Sequence, residues 1–183
     1  MSKCCISLQD LLTGSARKLH KILIYSLKSY HITSILYHLR NQSSIFTFFP
    51  TRDVINAASI EYLRNTFYIV NCKILRDRDD TRSYEMLIIV IDCGFYRNFP
   101  AVQSEIDELL LSMKYSNENP ILILAIREGY PDRPISIKEM CKETQIDRVL
   151  SEYDYKIFEC KYSTGEGLLE VLQYLDEKFK NSQ

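Results

Sequence analysis

Short apolar runs and amphipathic stretches alternate along this chain, and the alternation constrains the fold more than any other feature. The runs predicted to be strands are Lys21–Ser26, Ile60–Leu63, Phe67–Cys72, Met86–Asp92, Pro120–Ile126 and Lys156–Cys160. Apolar residues at helical spacing predict helices over Ile32–Arg40, Phe99–Lys114, Ser136–Cys141 and Glu166–Lys180. Strands that alternate with helices need crossover connections and form a mostly parallel sheet. We therefore predict a three-layer α/β fold: a six-stranded, mostly parallel sheet with one antiparallel strand and helices on both faces.

The second and third predicted strands are joined by Arg64-Asn65-Thr66, a connection that fits a hairpin. No linker or internal repeat interrupts the chain after its first residues, so 18–183 is predicted to be one domain. In sheets of this kind, ligands bind beyond the carboxyl ends of the strands. The loops after Ser26, Cys72, Asp92, Ile126 and Cys160 are therefore the places where a site is expected.

Composition excludes several classes of function. The net charge is −1 and the sequence holds no block of five basic residues, so nucleic acid is not expected as a partner. Six cysteines form no C-x-x-C pair, which removes the usual spacing of a zinc site. Five glycines include none between Gly14 and Gly94, so no glycine-rich phosphate loop of the usual pattern lies there. Apolar runs stay below the roughly 18 residues of a membrane span, and we expect a cytoplasmic protein.

Two segments nevertheless resemble the ADP-ribosylation factor (Arf) and Arf-like small GTPases. The segment 21–39, KILIYSLKSYHITSILYHL, is similar to the family's first strand, phosphate loop and first helix, K-I-x-x-x-G-L-D-x-A-G-K-T-T-I-L-Y. The segment Ser163–Leu168, STGEGL, is similar to the end of the last guanine loop and the start of the final helix. Pro50-Thr51 resembles the Pro-Thr of switch I, and Leu87–Asp92 resembles the fourth strand. The likeness extends over roughly residues 18 to 180 and implies a small-GTPase fold.

The phosphate-binding positions implied by this resemblance mostly depart from the family pattern. Ser26 and His31 stand at the two glycine positions of the phosphate loop, and Ile32 stands at the lysine. Glycines let backbone N–H groups curl around a phosphate, and the lysine neutralises its charge. Thr33 keeps the hydroxyl that would coordinate Mg²⁺ if a nucleotide bound. An ordinary threonine in the first turn of a helix is the alternative interpretation.

The other nucleotide positions depart as well. The family's D-x-G-G-Q, which binds Mg²⁺ and orients the attacking water, corresponds to residues that include no carboxylate, glycine or glutamine: Cys72, Ile74, Leu75 and Arg76. Thr51 fits the switch I threonine. The guanine motif N-K-x-D corresponds to Ile126-Arg127-Glu128-Gly129, where Glu128 either replaces the aspartate or is a solvated loop acid. Tyr162 stands at the alanine of the last guanine loop, where its ring could fill the base pocket.

These substitutions predict a small-GTPase fold that has lost its nucleotide. Bulky residues at ligand positions, namely Ile32, Ile74, Leu75 and Tyr162, are expected to fill the pocket. The first hypothesis is an Arf-like pseudoGTPase, a protein-binding module of vesicle and membrane traffic that holds an effector through its switch and interswitch surface and needs no cofactor. A second is an active Arf-like switch that binds GTP or GDP with Mg²⁺ through an atypical phosphate loop. A third is a structural subunit that shares only the fold.

Residues 1–17 are predicted to form an N-terminal amphipathic segment ahead of the domain. Ile6, Leu8, Leu11 and Leu12 lie at helical spacing behind Cys4 and Cys5. Two adjacent cysteines beside such a segment are candidates for S-acylation, and two acyl chains anchor a protein stably where one does not. A short helix packed on the domain, with cysteines that carry no lipid, is the alternative. The first interpretation predicts peripheral attachment to endomembranes.

Overall fold

The computed structural model describes residues 18–41, 45–51, 54–63, 65–74, 83–94, 99–113, 116, 118–128 and 134–180. Five of the candidate positions that the sequence singles out lie outside these residues: Cys4, Cys5, Leu75, Arg76 and Gly129. The whole predicted N-terminal segment, 1–17, lies outside them too. Among the described helices, none is long and apolar enough to cross a bilayer.

The described residues contain one seven-stranded sheet with the order β2-β3-β4-β1-β5-β6-β7. Its strands are β1 (Lys18–Ser26), β2 (Ile45–Thr51), β3 (Val54–Tyr62), β4 (Asn65–Asn71), β5 (Met86–Asp92), β6 (Ile121–Ile126) and β7 (Tyr155–Cys160). β3 runs antiparallel to both of its neighbours, β2 and β4. The other pairs, from β4 through β1 to β7, are parallel. The predicted α/β class, with one antiparallel strand in a mostly parallel sheet, is confirmed.

Six strands were expected, and the described residues form a sheet of seven. The strand missing from the prediction is β2, whose sequence IFTFFPT is short, lies at the edge of the sheet and ends beside Pro50. Its extended form depends on antiparallel pairing with β3, which includes an irregularity at Phe49 and Pro50. The β3–β4 hairpin was expected, although Asn65 belongs to a strand and not to the turn.

Helices cover both faces of the sheet. They are α1 (Ser29–Asn41), α2 (Phe99–Met113), α3 (Ile137–Thr144), α4 (Ile146–Val149) and α5 (Leu168–Lys180). α1 and α5 pack on one face with the side chains of Ile22 and Ile24, and α2, α3 and α4 pack on the other with Leu23. Successive residues of a strand point to opposite faces, so β1 and β5 supply both cores at once.

Two corrections concern helix boundaries. α1 begins at Ser29 and not at Ile32, and the predicted helix over Ser136–Cys141 continues as α3 and α4. Ser136 is the N-cap of α3 and forms a capping box with Glu139, which explains why that helix starts where the sequence indicates.

The connection between β7 and α5 requires glycine at one position. Gly167 has a φ of +85°, and a Cβ built there would lie 2.1 Å from the carbonyl oxygen of Glu159 in β7. Gly165 has a φ of +76°, but its added Cβ would meet only the His38 side chain at 3.0 Å. A side chain can move aside more easily than the backbone of a strand.

We predict that Gly167→Ala lowers the free energy of unfolding by about 3 kcal/mol or more, because it combines backbone strain with a clash against β7. Gly165→Ala is the matched control, since it imposes a similar φ but only displaces His38, and it should cost about 1 kcal/mol. Urea denaturation followed by circular dichroism measures both. Equal losses in the two variants would contradict the role given to the β7 backbone.

Candidate functional site

The turn after β1 lies at the carboxyl end of the sheet, where a site was expected. Only Leu27 and Lys28 separate the last residue of β1 from the first residue of α1. Their backbone groups are paired within the turn: Lys28 N donates to Ser26 Oγ at 3.3 Å, and His31 N donates to Lys28 O at 3.1 Å. The residues that the resemblance places in a phosphate loop therefore form a tight turn and the first turn of a helix.

His31 is buried at the centre of a polar cluster formed by Ser26, Lys28, His31 and Asp92, which we call the carboxyl-end cluster. The His31 side chain is 1% exposed, with Nδ1 3.3 Å from Ser26 Oγ and Nε2 3.4 Å from Asp92 Oδ2. Lys28 Nζ lies 3.1 Å from the same Asp92 oxygen. The second carboxylate oxygen of Asp92 accepts a hydrogen bond from Gly94 N at 3.0 Å. Asp92 thus ties the end of β5 to the turn after β1.

The environment of Asp92 favours its charged form. Burial by itself raises the pKa of the carboxyl group, but the hydrogen bonds and charges of His31 and Lys28, together with the Gly94 N–H, outweigh it. The net result is a pKa below the ordinary value of an aspartic acid. A carboxylate that stays ionised in the folded chain contributes stability that is lost in acid.

Ser26, His31 and Asp92 have the composition of a nucleophile–base–acid triad, yet their placement does not suit catalysis. Ser26 is completely buried, and its hydroxyl oxygen accepts a hydrogen bond from Lys28 N. A serine nucleophile needs its oxygen open to a substrate carbonyl. The three residues therefore hold the turn together in this structure.

Aromatic rings connect this turn to the loop after β7. The Tyr162 ring lies 5.4 Å from the His31 ring and 6.0 Å from the Tyr30 ring, measured between centroids. Tyr30 and His31 pack edge to face at 4.3 Å. Tyr162 is partly buried against the core. The position that matches the guanine loop is thus in contact with the position that matches the phosphate loop.

Ile32, at the lysine position of the resemblance, is a core residue. Its side chain is fully buried beneath α1, with Ile35 and Leu36 of the same helix. The early start of α1 accounts for this, because a helical residue at position 32 falls on the apolar face that repeats every three or four residues. Thr33, the candidate Mg²⁺ ligand, is a partly buried residue of the same helix.

The segment after β4 forms a 3-10 turn over Cys72–Ile74. Cys72 is buried, and burial raises the pKa of its thiol to about 12. Lys73, which the sequence did not single out, donates from Nζ to the Leu27 carbonyl oxygen at 2.9 Å and lies 5.4 Å from the centre of the Tyr25 ring. Its position in the family motif is variable, so the resemblance gave no signal for it. Lys73 attaches the segment after β4 to the turn after β1.

The remaining candidate positions are placed as follows. Thr51 is the last residue of β2, and Ile126 is the buried last residue of β6. Both oxygens of Glu128 accept from Ser163 N, at 3.1 and 3.0 Å, and the carboxylate also accepts from the Ser163 hydroxyl. Glu128 therefore holds the loop after β7. Within the described residues, no three His, Cys, Asp or Glu side chains are grouped to hold a metal ion.

This strand order, with its candidate site at the carboxyl ends, defines the small-GTPase class of fold. A solved structure of the Arl6 (BBS3) small GTPase from Trypanosoma brucei, with the bound nucleotide analogue GppNp, is similar with a TM-score of 0.64. The two are 16% identical, and the match covers 90% of this chain and 99% of that chain. The model of the ADP-ribosylation factor family matches residues 6–179. The chain belongs to the ADP-ribosylation factor family. No curated protein matches the sequence.

We predict that Asp92→Asn lowers the free energy of unfolding at about pH 7 by about 1 to 2 kcal/mol, because Lys28 and His31 lose a charged acceptor. The lowered pKa of Asp92 means that its contribution is present above the ordinary aspartate value, about 3.9, and disappears as the pH falls through the lower folded value. The gap between wild type and variant should therefore close in strong acid.

Asp107→Asn is the matched control, since Asp107 is exposed on α2. It should leave the free energy of unfolding within about 0.5 kcal/mol of wild type. Denaturation curves at a series of pH values between about 7 and 2 provide the measurement. A wild-type-to-variant gap that is unchanged in acid would show that the charge of Asp92 does not hold the turn.

Proposed function

We propose that this member of the Arf family is a pseudoGTPase, a protein-binding module of intracellular membrane traffic that works without bound nucleotide. The observation that carries the proposal is the carboxyl-end cluster, with Ser26 and His31 buried and Lys28 and Asp92 partly exposed, at the position where the family binds phosphate. The contacts within this cluster determine whether the turn can accommodate the phosphate groups of a nucleotide.

The residues of the turn do not fit a phosphate group. A phosphate is held by backbone N–H groups that point into an open loop and by a cation that is not otherwise neutralised. Here the N–H groups of Lys28 and His31 are bonded within the turn, and Lys28 Nζ is paired with Asp92. The Asp92 carboxylate would repel a second anion beside it. A phosphate would also have to displace the buried His31 ring.

The opposite half of the site is engaged in contacts of its own. Tyr162 contacts Tyr30 and His31, and Glu128 is bound to Ser163. A base-reading carboxylate has to accept hydrogen bonds from the base, yet that of Glu128 accepts them from the protein. These contacts favour a site completed by side chains over one completed by a ligand.

Two further contacts join the segment after β4 and the end of β5 to the turn after β1. In a working small GTPase the γ-phosphate orders the switch segments, which are released on hydrolysis. Lys73 joins the start of the second switch position to the Leu27 carbonyl, and Lys28 joins the turn to β5. On this proposal the switch and interswitch surface, which includes the β2–β3–β4 edge of the sheet, presents a single state to a protein partner.

The nucleotide content of the purified full chain tests the proposal. We expect that denaturation releases no GDP or GTP. We also expect the fluorescence of a GTP analogue to show no binding at concentrations up to about 1 mM, where a dissociation constant corresponds to only about 4 kcal/mol of binding free energy. Stoichiometric guanine nucleotide would overturn the proposal and support the active-switch alternative.

A rebuilt phosphate loop provides a sharper version of this experiment. The variant His31→Gly with Ile32→Lys restores two residue types of the family pattern. Because Ile32 lies in the core, we expect a loss of stability and no gain of GTP affinity. His31→Gly alone is the matched control for the stability loss. If the double variant bound GTP with a dissociation constant below about 1 mM, the site would be one that two residues disable, and not one in which side chains have replaced the ligand.

We propose further that Cys4 and Cys5 are acylated and attach the protein to endomembranes from the cytoplasmic side. The Cys4→Ser, Cys5→Ser double variant should move from the membrane to the soluble fraction of cells, because the loss of two acyl chains removes the anchor. Cys141→Ser, a partly buried residue of α3, is the control and should not change the distribution. Identical fractionation of wild type and double variant would refute acylation as the anchor.

A further inference from the structure

The sheet has two edge strands, β2 and β7, which differ in composition. Within the described residues, no strand pairs with the outer side of either one. The backbone groups along such an edge are able to pair with another chain, and charged residues are a usual means of preventing it. β7 carries two exposed charged residues, Lys156 and Glu159, whereas the sequence of β2, IFTFFPT, includes none. β2 is therefore the edge that is better suited to accept a further strand.

The two charged residues of β7 are held beside their edge by neighbours in the same chain. Lys156 Nζ lies 5.0 Å from the centre of the Phe158 ring and 4.6 Å from that of Tyr174. Arg127 donates to the Glu159 carboxylate at 2.9 Å. An added strand would have to pass both charges, so β7 has a protection that β2 lacks.

The pairing that β2 offers is limited to five residues, Ile45–Phe49. Proline has no N–H group to donate, so a regular ladder cannot continue through Pro50. The pairing with β3 is itself irregular between Phe49 and Pro50, and before that point its register is uninterrupted. The outer edge of these five residues is therefore a regular antiparallel template.

These five residues are complementary to a second copy of themselves. When a twofold axis perpendicular to the sheet relates two antiparallel strands, opposite residues share a face, so the axis passes through one residue. With the axis at Thr47, the pairing sets Thr47 opposite Thr47, Phe46 opposite Phe48 and Ile45 opposite Phe49. Threonine pairs, aromatic pairs and pairs of an aromatic with a β-branched residue stabilise antiparallel sheets. A second copy thus supplies a favourable neighbour at each position.

Charge also permits this arrangement. The charged residues nearest to the five in the sequence are Arg40, Arg52 and Asp53, and in the same register each falls opposite an uncharged residue of the second copy. The contact is smaller than those of stable complexes, which bury about 1,200 to 2,000 Å². We therefore expect a weak dimer, with a dissociation constant on the order of 10 to 100 μM.

We propose that β2 pairs with β2 of a second copy of this chain about a twofold axis at Thr47, so that the two sheets join edge to edge. The pairing rests on the proposed function only in that β2 belongs to the surface assigned above to a protein partner. The two proposals fail separately. A dimer that holds guanine nucleotide would overturn the proposed function alone, and a nucleotide-free monomer would overturn the pairing alone.

Sedimentation of the purified full chain over a range of concentrations measures the pairing. We expect a monomer at about 1 μM and a mostly dimeric protein at about 500 μM. Thr47→Lys and Thr47→Glu should each weaken the dimer at least about tenfold, because the axis sets two like charges directly opposite each other. An equimolar mixture of these two variants should recover dimerisation, because opposite charges then meet.

Thr164→Lys is the matched control, since it makes the same change at an exposed residue of the loop after β7, and it should dimerise as wild type does. A wild-type chain that stays monomeric at about 500 μM would overturn the inference. Undiminished dimerisation of Thr47→Lys, or a mixture of the two charged variants that stays monomeric, would overturn it as well.

If the charged variants do not fold, isotope-filtered NMR on a mixture of labelled and unlabelled wild-type chains decides the question. We expect contacts between copies from Phe46 to Phe48 and from Thr47 to Thr47. Contacts between copies that are confined to any other segment would show that the dimer forms elsewhere and would overturn the inference.

Discussion

The carboxylate of Asp92 is the contact on which the arrangement at the carboxyl end of the sheet depends. Its Oδ2 accepts from Lys28 Nζ and lies 3.4 Å from His31 Nε2, and its Oδ1 accepts from the backbone after β5. A buried charge is tolerated only when it is paired and hydrogen bonded. Removal of Asp92 would take this acceptor away from both Lys28 Nζ and Gly94 N. Asp92 therefore joins the turn after β1 to the end of β5.

Much of the fold could be predicted because its information is local. Met86–Asp92 and Ile121–Ile126 are apolar almost throughout, as expected of parallel strands covered on both faces, and the helical spacing of Val102, Ile106 and Leu110 marks the face of α2. β2 escaped prediction although its sequence, IFTFFPT, is rich in the β-branched and aromatic residues that favour strands. The start of α1 could have been predicted. The sequence has no glycine between Ser26 and Ile32, so nothing in it prevents the helix from beginning as early as Ser29.

The candidate site was predicted in outline and not in detail. The resemblance placed Ser26, His31 and Tyr162 at the carboxyl end, and the structure brings them together. It could not supply their partners, because Lys28 and Asp92 are 64 residues apart in the chain and Lys73 reaches the Leu27 carbonyl across 46. The alignment gives the position of Ile32 in the family pattern, and the helix adds that its side chain lies in the core. An alignment relates residues only by their order in the chain. The direction in which a side chain points also depends on where its helix begins.

A fold that is stabilised by a bound ligand needs other stabilising contacts once that ligand is lost. On the proposed function, the contacts at the carboxyl end of the sheet serve in its place. A ligand present at about a thousand times its dissociation constant stabilises the folded state by about 4 kcal/mol. Under the proposed function the chain has to supply that free energy from its own residues. The Lys28–Asp92 and Glu128–Ser163 contacts are both partly exposed to solvent, so each contributes less than the roughly 1.5 to 3 kcal/mol of a shielded hydrogen bond to a charged group. The packing of Tyr162 on His31 and Tyr30 adds to them. On the proposed function, a domain stabilised in this way would need no nucleotide to fold, and no nucleotide would switch it.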